Sequence, residues 1–135
     1  LHLLMLYPST GVSSGACYRE YDRQNALDNP TGCTERAISA LIEGEIEEVG
    51  RQLKNDLYLP AATLCADVKT ALEAALSFAP LGAVMTGSGS AVLAVFETAE
   101  LCRYAKSRYK GNFRTAVLKT VDPQKKSFLK SPFAL

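Results

Sequence analysis

The stretch from Gly82 to Phe96, GAVMTGSGSAVLAVF, constrains the fold more than any other part of the chain. It contains two apolar runs, Ala83 to Met85 and Ala91 to Phe96, separated by small residues. The small residues are Thr86, Gly87, Ser88, Gly89 and Ser90. Short apolar runs bounded by glycine and serine are typical of strands. The stretch therefore predicts a strand, a glycine-rich loop and a second strand.

The glycine-rich loop has two interpretations. Two glycines around a serine let the backbone adopt positive φ and approach a ligand, and successive N–H groups in such a loop can point at an anion. The alternative is a long hairpin turn that binds nothing. A P-loop is excluded, because Ser90 and Ala91 follow the last glycine where that motif needs Lys and then Ser or Thr. A dinucleotide-binding fingerprint is excluded because Val92 stands where it needs glycine or alanine.

Composition and charge limit the class of protein. The chain has 135 residues, of which 47% are hydrophobic and 21% charged, as expected for one globular domain. Its net charge of +1 supplies no overall field for nucleic acid or an anionic membrane, so an anion site would have to be local. The longest apolar run is too short to span a bilayer.

The cysteines and the first residues bear on whether the protein binds zinc, forms disulfides or carries a signal peptide. Cys17, Cys33, Cys65 and Cys102 are widely spaced, and His2 is the one histidine. A zinc site is therefore not expected, and reduced thiols in an intracellular protein are the default. The chain begins LHLLMLYPS, without initiator Met or a basic stretch before the apolar run. We expect a part of a longer protein and not a signal peptide.

The first half of the chain predicts one strand followed by helices. His2 to Tyr7 is a short apolar run that favours a strand. Ser9 to Asp22 predicts a loop with a short helical turn, and Asp28 to Gly32 predicts a turn. Thr34 is predicted to cap a helix that Gly44 ends. The apolar face of that helix contains Ile38, Leu41 and Ile42, and a second helix carries Ile46, Val49 and Leu53.

The second half predicts a long helix, the central strands, one more helix and a last strand. Leu59 to Ala79 has a helical pattern with Pro60 in its first turn. Its expected buried stripe consists of Leu64, Val68, Leu72, Ala75 and Leu76. Thr98 is predicted to cap the next helix, and Thr115 to Val121 is predicted to be a strand.

The predicted order is strand, helices, strand, strand, helix, strand. This order is the split βαβ arrangement of a ferredoxin-like fold, an α+β architecture with an antiparallel sheet and helices on one face. We predict that residues 1–121 form this domain and that the last strand lies in the same sheet as Ala91 to Phe96. Residues 122–135 are expected to be a loosely held tail, in which Phe128 and Phe133 are able to dock on the domain. The fold alone identifies no function.

Three motifs resemble the C-terminal half of small-molecule kinases of the GHMP superfamily. They are GVSSGACY at Gly11 to Tyr18, NDL at Asn55 to Leu57, and LGAVMTGSGSAVLAVFE at Leu81 to Glu97. The third contains the Gly-Ser-Gly loop of the superfamily. The first two resemble the branch that phosphorylates a cytidine diphosphate derivative for non-mevalonate isoprenoid synthesis. The resemblance covers the chain from Leu3 to about Val121.

The resemblance implies a role for each matching residue. The loop from Thr86 to Ser90 would line the catalytic cleft beside the nucleotide phosphates and the acceptor hydroxyl. Tyr18 would stack on the cytosine ring, the alternative being a core or surface tyrosine. Ser14 would lie beside the substrate, where the family usually has Thr. Asn55 and Asp56 are interpreted mainly as structural residues that tie a helix end to the sheet, the alternative being a role in catalysis.

The same resemblance places the catalytic Asp, a Lys and the main ATP-binding loop in an N-terminal kinase domain that precedes this part. We therefore expect no catalytic residue and no metal ligand in this chain, with ATP and Mg²⁺ used by the full-length enzyme. It implies a small-molecule substrate, no nucleic-acid or membrane partner, and a location in the bacterial cytoplasm or in a plastid. Two alternatives remain open: another GHMP kinase, of mevalonate-pathway or homoserine type, and a non-catalytic ferredoxin-like binding module.

Overall fold

The computed structural model describes residues 1–24 and 32–122, and in them four strands form one antiparallel sheet. The strands are β1 (His2–Tyr7), β2 (Gly82–Met85), β3 (Val92–Phe96) and β4 (Arg114–Lys119). Their order across the sheet is β2-β3-β1-β4. Strands far apart in sequence are therefore neighbours, since β1 lies between β3 and β4. This is the predicted ferredoxin-like arrangement, and β4 lies in the same sheet as β3 as expected.

Six helices accompany the sheet in the described residues. They are α1 (Ser14–Gln24), α2 (Cys33–Glu43), α3 (Ile46–Arg51), α4 (Tyr58–Leu64), α5 (Ala66–Leu76) and α6 (Ala99–Arg108). Helix α5 packs on β1, β2 and β3, whereas α6 packs on β1, β3 and β4. Helix α1 packs on α4, and α2 packs on α3.

One face of the sheet supplies the hydrophobic core. Leu4 pairs with Ala94, and Leu6 pairs with Val92, so these side chains share a face. All four are fully buried. The core also contains Val68, Ala71 and Ala75 of α5 and Cys102 and Ala105 of α6. Small residues on these helices let them pack closely on a sheet whose apolar side chains alternate with a period of two.

The long helix predicted over 59–79 is two helices. Cys65 has an extended backbone, with φ −145° and ψ 107°, and it separates α4 from α5. Leu64 and Leu76 of the predicted stripe, which are the last residues of α4 and α5, are exposed, and Leu72 is half-buried against the core. Val68 and Ala75 are buried as expected, and Ala71 is buried in addition.

Helix α2 differs from its prediction at both its start and its apolar face. Gly32, with φ +79°, precedes the helix, and no side chain caps it, so Thr34 is not the cap. Ala40 is buried, but Ile38, Leu41 and Ile42 are exposed, Ile42 at 81%. These three residues are exposed because the main packing partner of α2 is α3 and not a strand. Gly44, with φ +77°, ends the helix as predicted.

The remaining boundaries are close to the expected ones. Helix α1 is a helix of 11 residues where a short turn was predicted. The Thr98 hydroxyl accepts a hydrogen bond from the Leu101 N–H, so Thr98 is the predicted cap of α6. The predicted turn at 28–32 lies outside the described residues except for Gly32, and the predicted tail at 122–135 lies outside them except for Asp122.

Candidate functional site

The glycine-rich loop is a tight turn between β2 and β3. The Thr86 N–H donates to the Ala91 carbonyl at 2.8 Å, and the Gly89 N–H donates to the Thr86 carbonyl at 3.1 Å. Gly87 and Gly89 have φ values of +55° and +104°, which L-residues rarely adopt. The turn conformation therefore requires glycine at both positions.

The loop also presents backbone donors that its own turn does not use. Within residues 1–24 and 32–122, the N–H groups of Gly87 and Ser88 have no hydrogen-bond acceptor. Gly87 is exposed, and Ser88 is partly exposed. Adjacent N–H groups at such a turn form a concave site of positive potential that suits a phosphate oxygen. The arrangement has the chemistry of an anion site.

Helix α1 contacts this loop through a hydrogen bond between one hydroxyl of the helix and one of the loop. Ser14 is the first residue of α1, and its Oγ lies 2.8 Å from the Oγ of Ser88. Tyr18 is four residues further along the helix and thus on the same face as Ser14. Its side chain is 57% exposed, which leaves the ring open to a ligand. Gly15 and Ala16 lie in the first turn between them.

The end of the loop is anchored in the core. Ser90 is buried, and its hydroxyl donates to the carbonyl of Pro8, just after β1, at 3.4 Å. A Cβ at Gly89 would meet the Met85 sulfur at 3.2 Å and a Val12 methyl at 3.3 Å. The loop therefore lies close against the segment that leads from β1 into α1.

The two polar residues of the NDL motif point in different directions. Asn55 Nδ2 donates to the carbonyls of Met85 at 2.7 Å and Gly87 at 2.8 Å, while its Oδ1 accepts from the Leu57 N–H at 2.9 Å. Asp56 instead forms an ion pair with Lys54, with 2.8 Å between Oδ1 and Nζ, at the exposed surface. The contact between Asn55 and the glycine loop was not predicted, because nothing local relates residues 32 positions apart.

Asn55 is also one of the residues that line a groove between α2 and residues 52–56. The groove has a volume of about 650 Å³, and Ile38, Leu41 and Leu53 provide its apolar lining. Two of the exposed residues of α2 therefore face a concavity and not a flat surface.

The described parts of the chain also bear on the requirements of a metal site, a reactive cysteine and a membrane-spanning helix. No group of three His, Cys, Asp or Glu residues is placed there to hold a metal ion. The four cysteines form no disulfide, and burial raises the pKa of the Cys17 and Cys102 thiols, which disfavours the nucleophilic thiolate. No described helix is long and apolar enough to cross a membrane.

The fold is that of a known family of kinases. The family profile "GHMP kinases C terminal" matches residues 37–110, more than half of the chain, and the chain therefore belongs to this family. It is 33% identical over 125 residues to the 4-diphosphocytidyl-2-C-methyl-D-erythritol kinase of Moorella thermoacetica, covering 90% of this chain and 43% of that protein. It is 29% identical over 97 residues to the kinase of the same name from Thermoanaerobacter sp. (strain X514), covering 72% of this chain and 33% of that protein.

Solved structures show the same fold. A crystal structure of 4-(cytidine 5'-diphospho)-2C-methyl-D-erythritol kinase superposes with a TM-score of 0.69 at 23% identity, covering 87% of this chain and 41% of that one. L. major mevalonate kinase in complex with R-mevalonate superposes with a TM-score of 0.64 at 17% identity, covering 79% and 37%. The chain thus spans less than half the length of the relatives it matches.

Proposed function

We propose that this chain is the substrate-binding C-terminal part of an ATP-dependent kinase that phosphorylates a small alcohol. The contact between Ser14 and Ser88 carries the proposal. It joins the helix that presents Tyr18 to the loop that presents free N–H groups. A ligand with an aromatic ring at one end and phosphates at the other is complementary to both.

The substrate we propose is 4-diphosphocytidyl-2-C-methyl-D-erythritol, the compound named in the kinases to which the chain is similar. Tyr18 lies about 6 Å along the helix axis from Ser14, since each residue adds about 1.5 Å. Its exposed ring is suited to stack on cytosine, with the Ser14 hydroxyl beside the substrate. An exposed aromatic ring favours this compound over mevalonate or homoserine, which have no ring to stack.

The proposed reaction transfers the γ-phosphoryl group of ATP to a substrate hydroxyl. The bond between the γ-phosphorus and its bridging oxygen breaks, a bond from the hydroxyl oxygen to phosphorus forms, and the hydroxyl proton goes to a base. In this chain the Gly87 and Ser88 N–H groups would donate to phosphate oxygens, and closely packed residues around Gly89 would keep the loop rigid. Mg²⁺ would supply neutralising charge through the phosphates, and its ligands and the base belong to the N-terminal domain of the full-length enzyme.

A chimera provides the test. This chain replaces the corresponding C-terminal part of the Moorella thermoacetica kinase, and ATP turnover is measured with the cytidyl substrate, mevalonate and homoserine. We expect turnover with the cytidyl substrate, and none from the isolated chain. Preference of a folded chimera for another substrate would overturn the assignment. Saturable activity of the isolated chain would show that the catalytic residues lie in this chain and not in the N-terminal domain.

A further inference from the structure

We propose that Asn55 is a positioning residue for phosphoryl transfer, which sets the direction of the Ser88 N–H in the glycine loop. The inference rests on the proposed function of that loop. Asn55 bonds three backbone groups at once: the carbonyls of Met85 and Gly87 and the N–H of Leu57. A side chain needed only to bond the Leu57 N–H at the start of α4 would not have to reach the loop.

The hydrogen bond from Asn55 to the Gly87 carbonyl also fixes the direction of the Ser88 N–H, because both groups belong to one planar peptide unit. Residues Gly87 and Ser88 share a trans peptide, in which the Gly87 carbonyl and the Ser88 N–H point in opposite directions. Because Asn55 holds the Gly87 carbonyl, the Ser88 N–H is directed away from Asn55. The Ser88 side chain is held independently by Ser14.

The chemistry of an amide is needed at this position. Asn55 uses two N–H donors toward two carbonyl oxygens and one oxygen toward an N–H. A carboxylate of the same shape would have no donors for the carbonyls and would repel both oxygens. Asp56, next in the chain, carries such a carboxylate and points to Lys54 instead.

These neighbours supply a matched pair of variants, Asn55→Asp and Asp56→Asn. In the ¹⁵N spectrum of the isolated chain, we expect Asn55→Asp to shift the Gly87 and Ser88 amides and leave those of Leu4 and Val92 in the sheet unchanged. Asp56→Asn should leave all four unchanged. Asn55→Ala, which removes the bonds without adding charge, should shift the same loop amides if Asn55→Asp fails to fold.

The second measurement separates positioning from stability. In the chimera, Asn55→Ala should lower kcat by about 10- to 100-fold with the KM for the cytidyl substrate unchanged, as for a misplaced reacting group. Loss of stability with unchanged loop amides and unchanged kcat would overturn the proposal and leave a structural role. If the wild-type chimera is inactive, the proposed function fails, while the amide shifts still decide whether Asn55 orients the loop.

Discussion

The backbones of Gly50 in α3 and Gly82 in β2 lie directly against each other, with no side chain between them. A Cβ built on Gly50 would overlap the carbonyl of Leu81, and one built on Gly82 would overlap the carbonyl of Gly50. Helix α3 can approach the strand only because both residues are glycine. This approach brings the segment after α3, which carries Asn55, beside the end of β2 and the glycine loop.

Substituting Gly82 tests this close contact. Gly82→Ala should lower the free energy of unfolding by about 1–3 kcal/mol, because the added methyl meets backbone that cannot move aside without separating helix and strand. Urea denaturation measures the change. Gly11→Ala is the control, since nothing lies within 4 Å of a Cβ there. Equal stability of the two variants would mean that α3 is free to shift.

The cap of α6 predicts a second effect on stability. Thr98 accepts the Leu101 N–H at 3.2 Å, and Thr98→Ala should cost about 1 kcal/mol by leaving that donor without its partner. Thr98→Ser keeps the hydroxyl and should stay near wild type. Hydrogen exchange at the Leu101 amide should be faster in the alanine variant alone. Faster exchange in both variants would show that the methyl group and not the hydroxyl matters.

The acid sensitivity of α1 should depend on Glu20. Hydrogen bonds lower the pKa of Glu20 from 4.5 to about 2; the bond from Arg23 has the largest effect and that from Gln24 the next largest. A carboxylate with a lowered pKa in the folded state contributes stability above its unfolded pKa, and this contribution is lost as the pH falls toward the folded pKa. The contribution of Glu20 should therefore decline between about pH 4.5 and 2.

Two variants test whether Glu20 causes the loss of stability in this pH range. Glu20→Gln should flatten the pH dependence of the unfolding free energy between pH 4.5 and 2, and Arg23→Gln should flatten most of it by removing the main partner. Thermal unfolding followed by circular dichroism across this range gives the measurement. An unchanged slope in Glu20→Gln would place the acid-sensitive carboxylate elsewhere.

Tyr18 provides the test of base stacking. In the active chimera, Tyr18→Ala should weaken affinity for the cytidyl substrate by about 1–3 kcal/mol, whereas Tyr18→Phe should stay near wild type because the ring remains. Tyr18 is 57% exposed, so neither variant should alter the unfolding transition appreciably. Equal loss of affinity in both variants would indicate a role for the hydroxyl and not for stacking.

The local pattern of apolar, glycine and capping residues was sufficient to predict the strands and several helix ends. Strand β1 has the predicted bounds, and the glycine loop lies between two strands as expected. Gly44 and Thr98 end and begin their helices as their residue types predict. These features depend on interactions among residues close in the chain, which the pattern of side chains records.

The break at Cys65 could not be predicted in this way. The apolar residues from Leu59 to Ala79 fit one continuous helix, and no Gly or Pro marks position 65. The two helices have different packing partners: α4 lies on α1, and α5 lies on the sheet. Packing on two surfaces outweighs the local preference for one helix.

The amino-acid sequence by itself determined the ferredoxin-like order of elements and the presence of a glycine-rich loop between two strands, because both follow from periodicity and glycine. Only the tertiary structure decided which groups meet at that loop. Ser14 and Ser88 are 74 positions apart, and Asn55 and Gly87 are 32 apart. Hydrogen bonds over such separations depend on the pairing of the strands and on the packing of α3 against β2, so no local pattern encodes them.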